Sequence, residues 1–176
     1  MRNVHCFVFV FLLSFIGNVG YAQTWLPEFR IRIGYNSILP KTTTLNEFLT
    51  YDHPIVAENC QARMSVFYFK VNSKGMVDSL YSEGNFKEKE KDIILKNIKG
   101  TSGNWILPKT TRTEDYCWFV FPCFILGALD KYCPDDQQNF RQLVLLRGLL
   151  QNYSFSRDKH GRYLLPPNEY GFYSRR

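Results

Sequence analysis

The stretch that decides the fold is Val66–Leu80, "VFYFKVNSKGMVDSL". Around it, residues alternate. Ser65, Phe67, Phe69 and Val71 fall on one face, and Met64, Val66, Tyr68 and Lys70 on the other. A period of two marks a half-buried strand. "NSKG" supplies turn residues, with Gly75 free to adopt a positive φ. "MVDSLYS" then returns as a second strand, so residues 64–82 are predicted to form a hairpin.

A helix is expected next, in "NFKEKEKDIILKNIK". Asn85 is its expected N-cap, with Glu88 three residues on in the capping-box position. Phe86, Ile94, Leu95 and Ile98 share one face, and Gly100 suits the stop. The loop "TSGNWILPKTTRTED" carries Trp105 as an anchor. "YCWFVFPCFIL", 116–126, reads as a long apolar strand in which Pro122, lacking an N–H, points to a bulge or a sheet edge. The order strand, strand, helix, strand predicts an α+β fold: a small antiparallel sheet packed by helices.

Outside this core the signals are weaker. "EFRIRIGY" alternates like a half-exposed edge strand, and "PKTTTLNEFL" looks like a loop entering a short helix capped by Thr44. "PDDQQNFRQLVLLRGLLQNY" reads as a second amphipathic helix with Phe140, Leu143, Val144, Leu146 and Leu150 on its apolar face. That face is expected to dock on the core, the alternative being a partner surface. The tail "LLPPNEYGFYSRR" is aromatic and turn-rich, pinned by its rings or partly loose.

The first residues carry an address. "MRNVHCFVFVFLLSFIGNVGYAQ" has Arg2, an apolar run from about Cys6 to Ile16, and small residues before Ala22. This fits a secretory signal peptide at 1–22, cut before Gln23. The run is shorter than the ~20 apolar residues that a spanning helix needs. A periplasmic or secreted location follows, with an uncleaved inner-membrane anchor as the alternative. Losing Arg2 takes the formal charge from +6 to +5. The charges alternate in sign, as in "KEKEKDIILKNIK", so a solvated helix face is expected and no nucleic-acid partner.

Export permits disulfides among Cys60, Cys117, Cys123 and Cys133. Three pairings are open, as is burial of the thiols as small apolar groups. Cys117 and Cys123, six apart on one strand, would sit roughly 20 Å from each other and should not pair. No Cys-x-x-Cys, Gly-rich phosphate loop, His-x-x-x-His or dense carboxylate set is present, so no metal, cofactor or nucleotide site is expected. His53 and Cys60, or Ser156, Asp158 and His160, hold residue types used in nucleophilic catalysis. Such a constellation is defined by geometry across a fold, not by nearness along the chain, and no enzyme is expected. "NYS" at 152–154 matches a glycosylation sequon that matters only in a eukaryotic secretory host.

From Tyr51 to about Leu126 the chain resembles the C-terminal domain of the TonB family of energy transducers. The likeness rests on "YDHPIVAENCQARMSVFYFKVNSKGMVDSL", with its turn "VNSKGMV", and on "IILKNIKGTSGNWILP", which looks like the family's helix and the Trp-x-Pro segment after it. It implies a periplasmic β-β-α-β domain at 51–127, preceded by a segment at 23–50 and followed by a helix and tail at 128–176. It also implies that the last strand accepts an extended segment of an outer-membrane transport receptor or another envelope protein. Here that edge would be Tyr116, Trp118, Phe119, Val120 and Phe121, with Trp105, Pro108 and Gly75 as structural anchors.

The chain also departs from the family. Residues 23–50 hold only Pro27 and Pro40 and cannot replace a long Pro-rich spacer. His53 interrupts the Tyr-Pro element, and the Trp-to-Pro spacing is one residue longer. A long segment follows the last strand. The expectation is therefore a stand-alone protein-binding domain using strand addition. One alternative is an envelope-assembly protein whose sheet edge is covered; the other is a minimal anchored transducer if the N-terminus is uncleaved.

Overall fold

The computed structural model describes residues 25–31, 44–50, 62–126 and 137–170. The expectations for the signal segment, His53, Cys60 and Cys133 lie outside the described residues. The elements in order are β1 (Glu28–Phe29), α1 (Leu45–Thr50), β2 (Arg63–Asn72), β3 (Val77–Gly84), α2 (Glu88–Gly100), β4 (Trp105–Ile106), β5 (Tyr116–Ile125), α3 (Gln137–Asn152), β6 (Tyr163–Leu164) and β7 (Asn168–Tyr170).

The hairpin forms where the alternation places it. Along β2 every second residue is buried, Ser65, Phe67, Phe69 and Val71 among them. Gly75 takes φ 72° at the turn. It needs that freedom twice over, because a Cβ there would also lie 3.3 Å from the Trp105 carbonyl oxygen. Opposite β3, β2 pairs antiparallel from Ser65↔Gly84 to Lys70↔Ser79, with a register shift before Val71↔Val77. β5 lies on its other side, antiparallel and in unbroken register from Arg63↔Ile125 to Asn72↔Tyr116.

Two helix starts test the capping signals. Thr44 caps α1: its Oγ1 accepts from the Glu47 N–H at 3.2 Å, and Glu47 Oε2 accepts from the Thr44 N–H at 2.6 Å. At α2 the expectation of Asn85 with Glu88 is corrected to Lys87 with Glu90, whose Oε2 accepts from the Lys87 N–H at 2.7 Å. The reason is that Asn85 still belongs to the hairpin. Its N–H donates to Met64 O at 3.0 Å and its Oδ1 accepts from the Met64 N–H at 2.9 Å. The chain can turn into a helix only after that exchange. The helix does end at Gly100, with Thr101 as its C-cap.

The core lies between the inner face of the sheet and α2, closed at one end by β1, β4 and α1. Ile94 and Ile98 of α2 meet Phe67, Phe69, Phe119, Phe121 and Ile125 there, all fully or almost fully buried. Burying one such side chain contributes roughly 1.5–3 kcal/mol. Trp105 fixes the loop between α2 and β5. Its ring centroid sits 5.5 Å from that of Phe29 and 5.0 Å from that of Phe119, and its Nε1 donates to Thr101 Oγ1 at 3.1 Å. Pro108 turns the same loop, its carbonyl accepting from the Thr111 N–H at 3.1 Å.

Two features extend beyond the expected arrangement. The sheet is mixed, because β6 and β7 both run parallel to β5. The face of α3 expected to dock is only partly covered by the described residues: Leu143 and Leu150 are half-buried, while Val144 and Leu146 are exposed. An ion pair between Arg147 and Glu169 links α3 to β7.

Candidate functional site

Strand β5 was the expected partner edge, and the structure places it inside the sheet. Its far side is occupied by the chain's own tail, with Phe119↔Tyr163 and Val120↔Leu164 in β6, then Cys123↔Asn168, Phe124↔Glu169 and Ile125↔Tyr170 in β7. Phe119 and Phe121 point into the core, Val120 is 9% exposed, Trp118 is half-buried, and Tyr116 stands exposed at the end of the strand. The expectation of a free edge is thus corrected at Phe119 and Val120, where β6 pairs with β5; no tail strand pairs with Tyr116, Trp118 or Phe121 among the described residues.

The tail is interrupted opposite Pro122 of β5. The Val120 carbonyl accepts from the Leu165 N–H at 2.9 Å. By strand alternation the even-numbered residues of β5 turn their backbone groups toward the tail. Pro122 is one of them, so its missing N–H costs no bond to β2. The tail is interrupted at the same place: Pro166 and Pro167, also without donors, fill the interval between β6 and β7. Pro122 therefore marks neither a bulge against β2, whose register runs unbroken through it, nor the edge of the sheet; it coincides with the interval between β6 and β7.

Among the described residues the free edge is β3. The Asn85 N–H donates to the Met64 carbonyl, so by alternation Glu83, Tyr81 and Ser79 face β2, whereas Leu80 and Ser82 turn their N–H and C=O groups outward. Among the described residues no strand pairs with that side. Its lower end is closed by Ser102, whose Oγ accepts from the Val77 N–H at 3.1 Å.

Beside this edge the outer sheet face carries a row of rings. Tyr68 and Tyr81, a cross-strand pair, stack at 4.7 Å, and Trp118 meets Tyr81 edge-on at 6.0 Å. The Arg162 guanidinium lies 5.0 Å from the Tyr68 ring centre, within range of a cation–π attraction. Burial pushes the Tyr68 hydroxyl above its ordinary pKa, and Glu83 adds to this. The sequence showed the alternation that puts Tyr68 on this face, but not that Tyr81 and Arg162 would join it.

Among the described residues the groups with catalytic potential do not form a nucleophilic constellation. Cys117 and Cys123 are free, buried thiols facing the core. Burial pushes Cys117 up to about 11 and raises Cys123 as well, which suppresses thiolate chemistry. Cys117 lines a polar recess of about 320 Å³ with Arg157, His160 and Arg162. Asp158 is committed to the turn that starts β6: its Oδ1 accepts from the N–H groups of His160 at 2.8 Å and Arg162 at 2.9 Å, and its Oδ2 from Arg162 Nε at 2.7 Å. Ser156 Oγ donates to the Tyr153 carbonyl. Ser156, Asp158 and His160 therefore shape a loop. Among the described residues no group of three His, Cys, Asp or Glu is placed to hold a metal ion, and no helix is long and apolar enough to cross a membrane.

No family model, curated protein or solved structure matches this chain.

Proposed function

We propose that this chain is a non-enzymatic, exported protein-interaction domain with a TonB-like β-β-α-β core. It takes up an extended segment of an envelope partner by strand addition at β3. The β5 edge serves a different purpose, as the seat of the chain's own tail. This is the envelope-assembly alternative with a covered edge, and it moves the partner to the other end of the sheet.

The observation that carries the reading is the asymmetry of the two edges. On the β5 side Phe119–Val120 and Cys123–Ile125 pair with the chain's own tail, whose prolines lie in the interval opposite Pro122. On the β3 side the backbone groups of Leu80 and Ser82 have no strand to pair with among the described residues. Such an edge supplies main-chain bonds to any extended segment, and the neighbouring rings add selectivity. Tyr81, 43% exposed, stands directly on it.

Photo-crosslinking in cells tests this. A benzophenone side chain in place of Tyr81 is expected to give a discrete envelope-protein adduct. Ser82→Pro, which removes an outward N–H while sparing the bonds to β2, should abolish it. An adduct that persists in Ser82→Pro, or that arises only after the tail is deleted, would refute the β3 assignment.

A further inference from the structure

The β3 edge carries a side-chain signature of its own. Tyr81 and Glu83 share the outer sheet face, beside the outward backbone groups of Leu80 and Ser82. Two contacts fix that placement: the Tyr81 ring stacks on Tyr68, and the Glu83 carboxylate accepts from the Tyr68 hydroxyl at 3.4 Å. Both residues are exposed. Glu83 forms no ion pair among the described residues. Asp78, near the start of the strand, is already held by Lys70 and by Asn72, each at 3.1 Å. Resting on strand addition at β3, we infer that the partner segment carries an arginine level with Tyr81.

Three observations select that side chain. The first is register. In either strand direction, the partner residue level with Tyr81 presents its side chain on the same face. It lies about 4.5–5.5 Å from Tyr81 and about 7–8 Å from Glu83 on the diagonal, within reach of a long side chain. The second is charge. An added strand displaces water from Glu83, and a carboxylate that loses water without gaining a cation is unfavourable. A guanidinium supplies the cation, and its planar fork both stacks on a ring and binds a carboxylate. The third is that the chain already uses this arrangement on the same ring pair. Arg162 lies over the Tyr68 ring at 5.0 Å while its Nε donates to Asp158 Oδ2 at 2.7 Å. A partner phenylalanine would stack on Tyr81 but leave Glu83 unpaired. A lysine would reach Glu83 without a planar group to stack.

The test pans a phage-displayed library of random heptapeptides against the full mature chain and measures synthetic versions of the enriched sequences by fluorescence anisotropy. Enriched peptides should share an arginine at one fixed position, although the formal charge of +6 makes diffuse attraction favour acidic peptides. Replacing that arginine by alanine should weaken binding about fivefold to thirtyfold. Tyr81→Ser and Glu83→Gln should each shrink that ratio, and panning against Glu83→Lys should enrich an acidic residue at the same position. Ser82→Pro separates this inference from the reading beneath it, because it removes an edge donor and leaves the Tyr81 and Glu83 side chains in place. Peptides that Ser82→Pro no longer binds, but that show no arginine preference, leave strand addition standing and overturn the inference. An arginine preference unchanged in both Tyr81→Ser and Glu83→Gln overturns it as well. A preference that survives Ser82→Pro, or a library that yields no enriched peptide, overturns it together with strand addition at β3.

Discussion

Removing the Glu90 carboxylate should cost more stability than any other single polar change at a described position. Glu90 joins helix to sheet. Its Oε2 accepts from Arg63 Nη1 at 3.0 Å and its Oε1 pairs with Arg63 Nη2 at 2.9 Å, the two side chains being 8% and 12% accessible. Its Oε2 also accepts from the Lys87 N–H at the start of α2. Glu90→Ala leaves a buried guanidinium whose Nε already lacks a partner. Breaking such a pair costs about 3–5 kcal/mol, and losing the end bond of the helix adds about 1 kcal/mol. A total of about 4–6 kcal/mol is a large part of the ~5–15 kcal/mol that holds a typical domain folded. The double change Arg63→Met with Glu90→Leu removes both charges and should be much less damaging than Glu90→Ala. Urea unfolding followed by tryptophan fluorescence, run as a double-mutant cycle, gives the coupling. A loss below ~1 kcal/mol for Glu90→Ala, or single effects that simply add in the double variant, would refute the account.

Other expectations follow from the same geometry. Cys117 and Cys123 should resist iodoacetamide at pH 8 until denaturant is added, as read by peptide mass mapping. Burial pushes the Asp158 carboxyl up, but the bonds from Arg162 and His160 outweigh it and hold the pKa below the ordinary value. Its contribution is therefore present above the unfolded-state value of about 3.9 and lost as pH falls through the lower folded-state one. Asp158→Asn should flatten that acid limb in urea midpoints taken from pH 5 down to pH 3. Backbone amides across 116–126 should exchange slowly in the native protein, and Leu165→Asp, which unlatches the tail, should speed Val120 and Phe124. N-terminal sequencing of the exported protein should begin at Gln23; an intact Met1 form in the inner membrane would favour the anchored alternative.

Much of the core was legible from residues 62–126. Period-two alternation assigned the inner face of β2, and the turn chemistry located Gly75. The cap at Thr44 and the end of α2 at Gly100 were local signals that nothing distant overrode. Asn85 misled because its side chain has two uses. An asparagine before an acidic run caps a helix equally well or closes a hairpin, and only the position of Met64 across the strand decides between them. The partner edge misled for a related reason. "YCWFVFPCFIL" reads the same whether the strand is internal or at an edge, because both settings make it apolar. The strands that cover it are two and three residues long and interrupted by Pro166–Pro167, too short to show a period. The β3 edge and the ring row with Arg162 each depend on residues distant in sequence, so no local pattern announced them.

By itself, the sequence determined the β2–β3 hairpin, α2 and β5, and the inner face of β2, because side-chain period and turn residues are properties of neighbours along the chain. The tertiary structure decided which edge of the sheet is filled and which is open. Backbone N–H and C=O groups are nearly the same at every residue, so the pairing of β5 with the tail depends on register, on the alignment of proline gaps, and on the burial of Leu165 against a core built elsewhere in the chain.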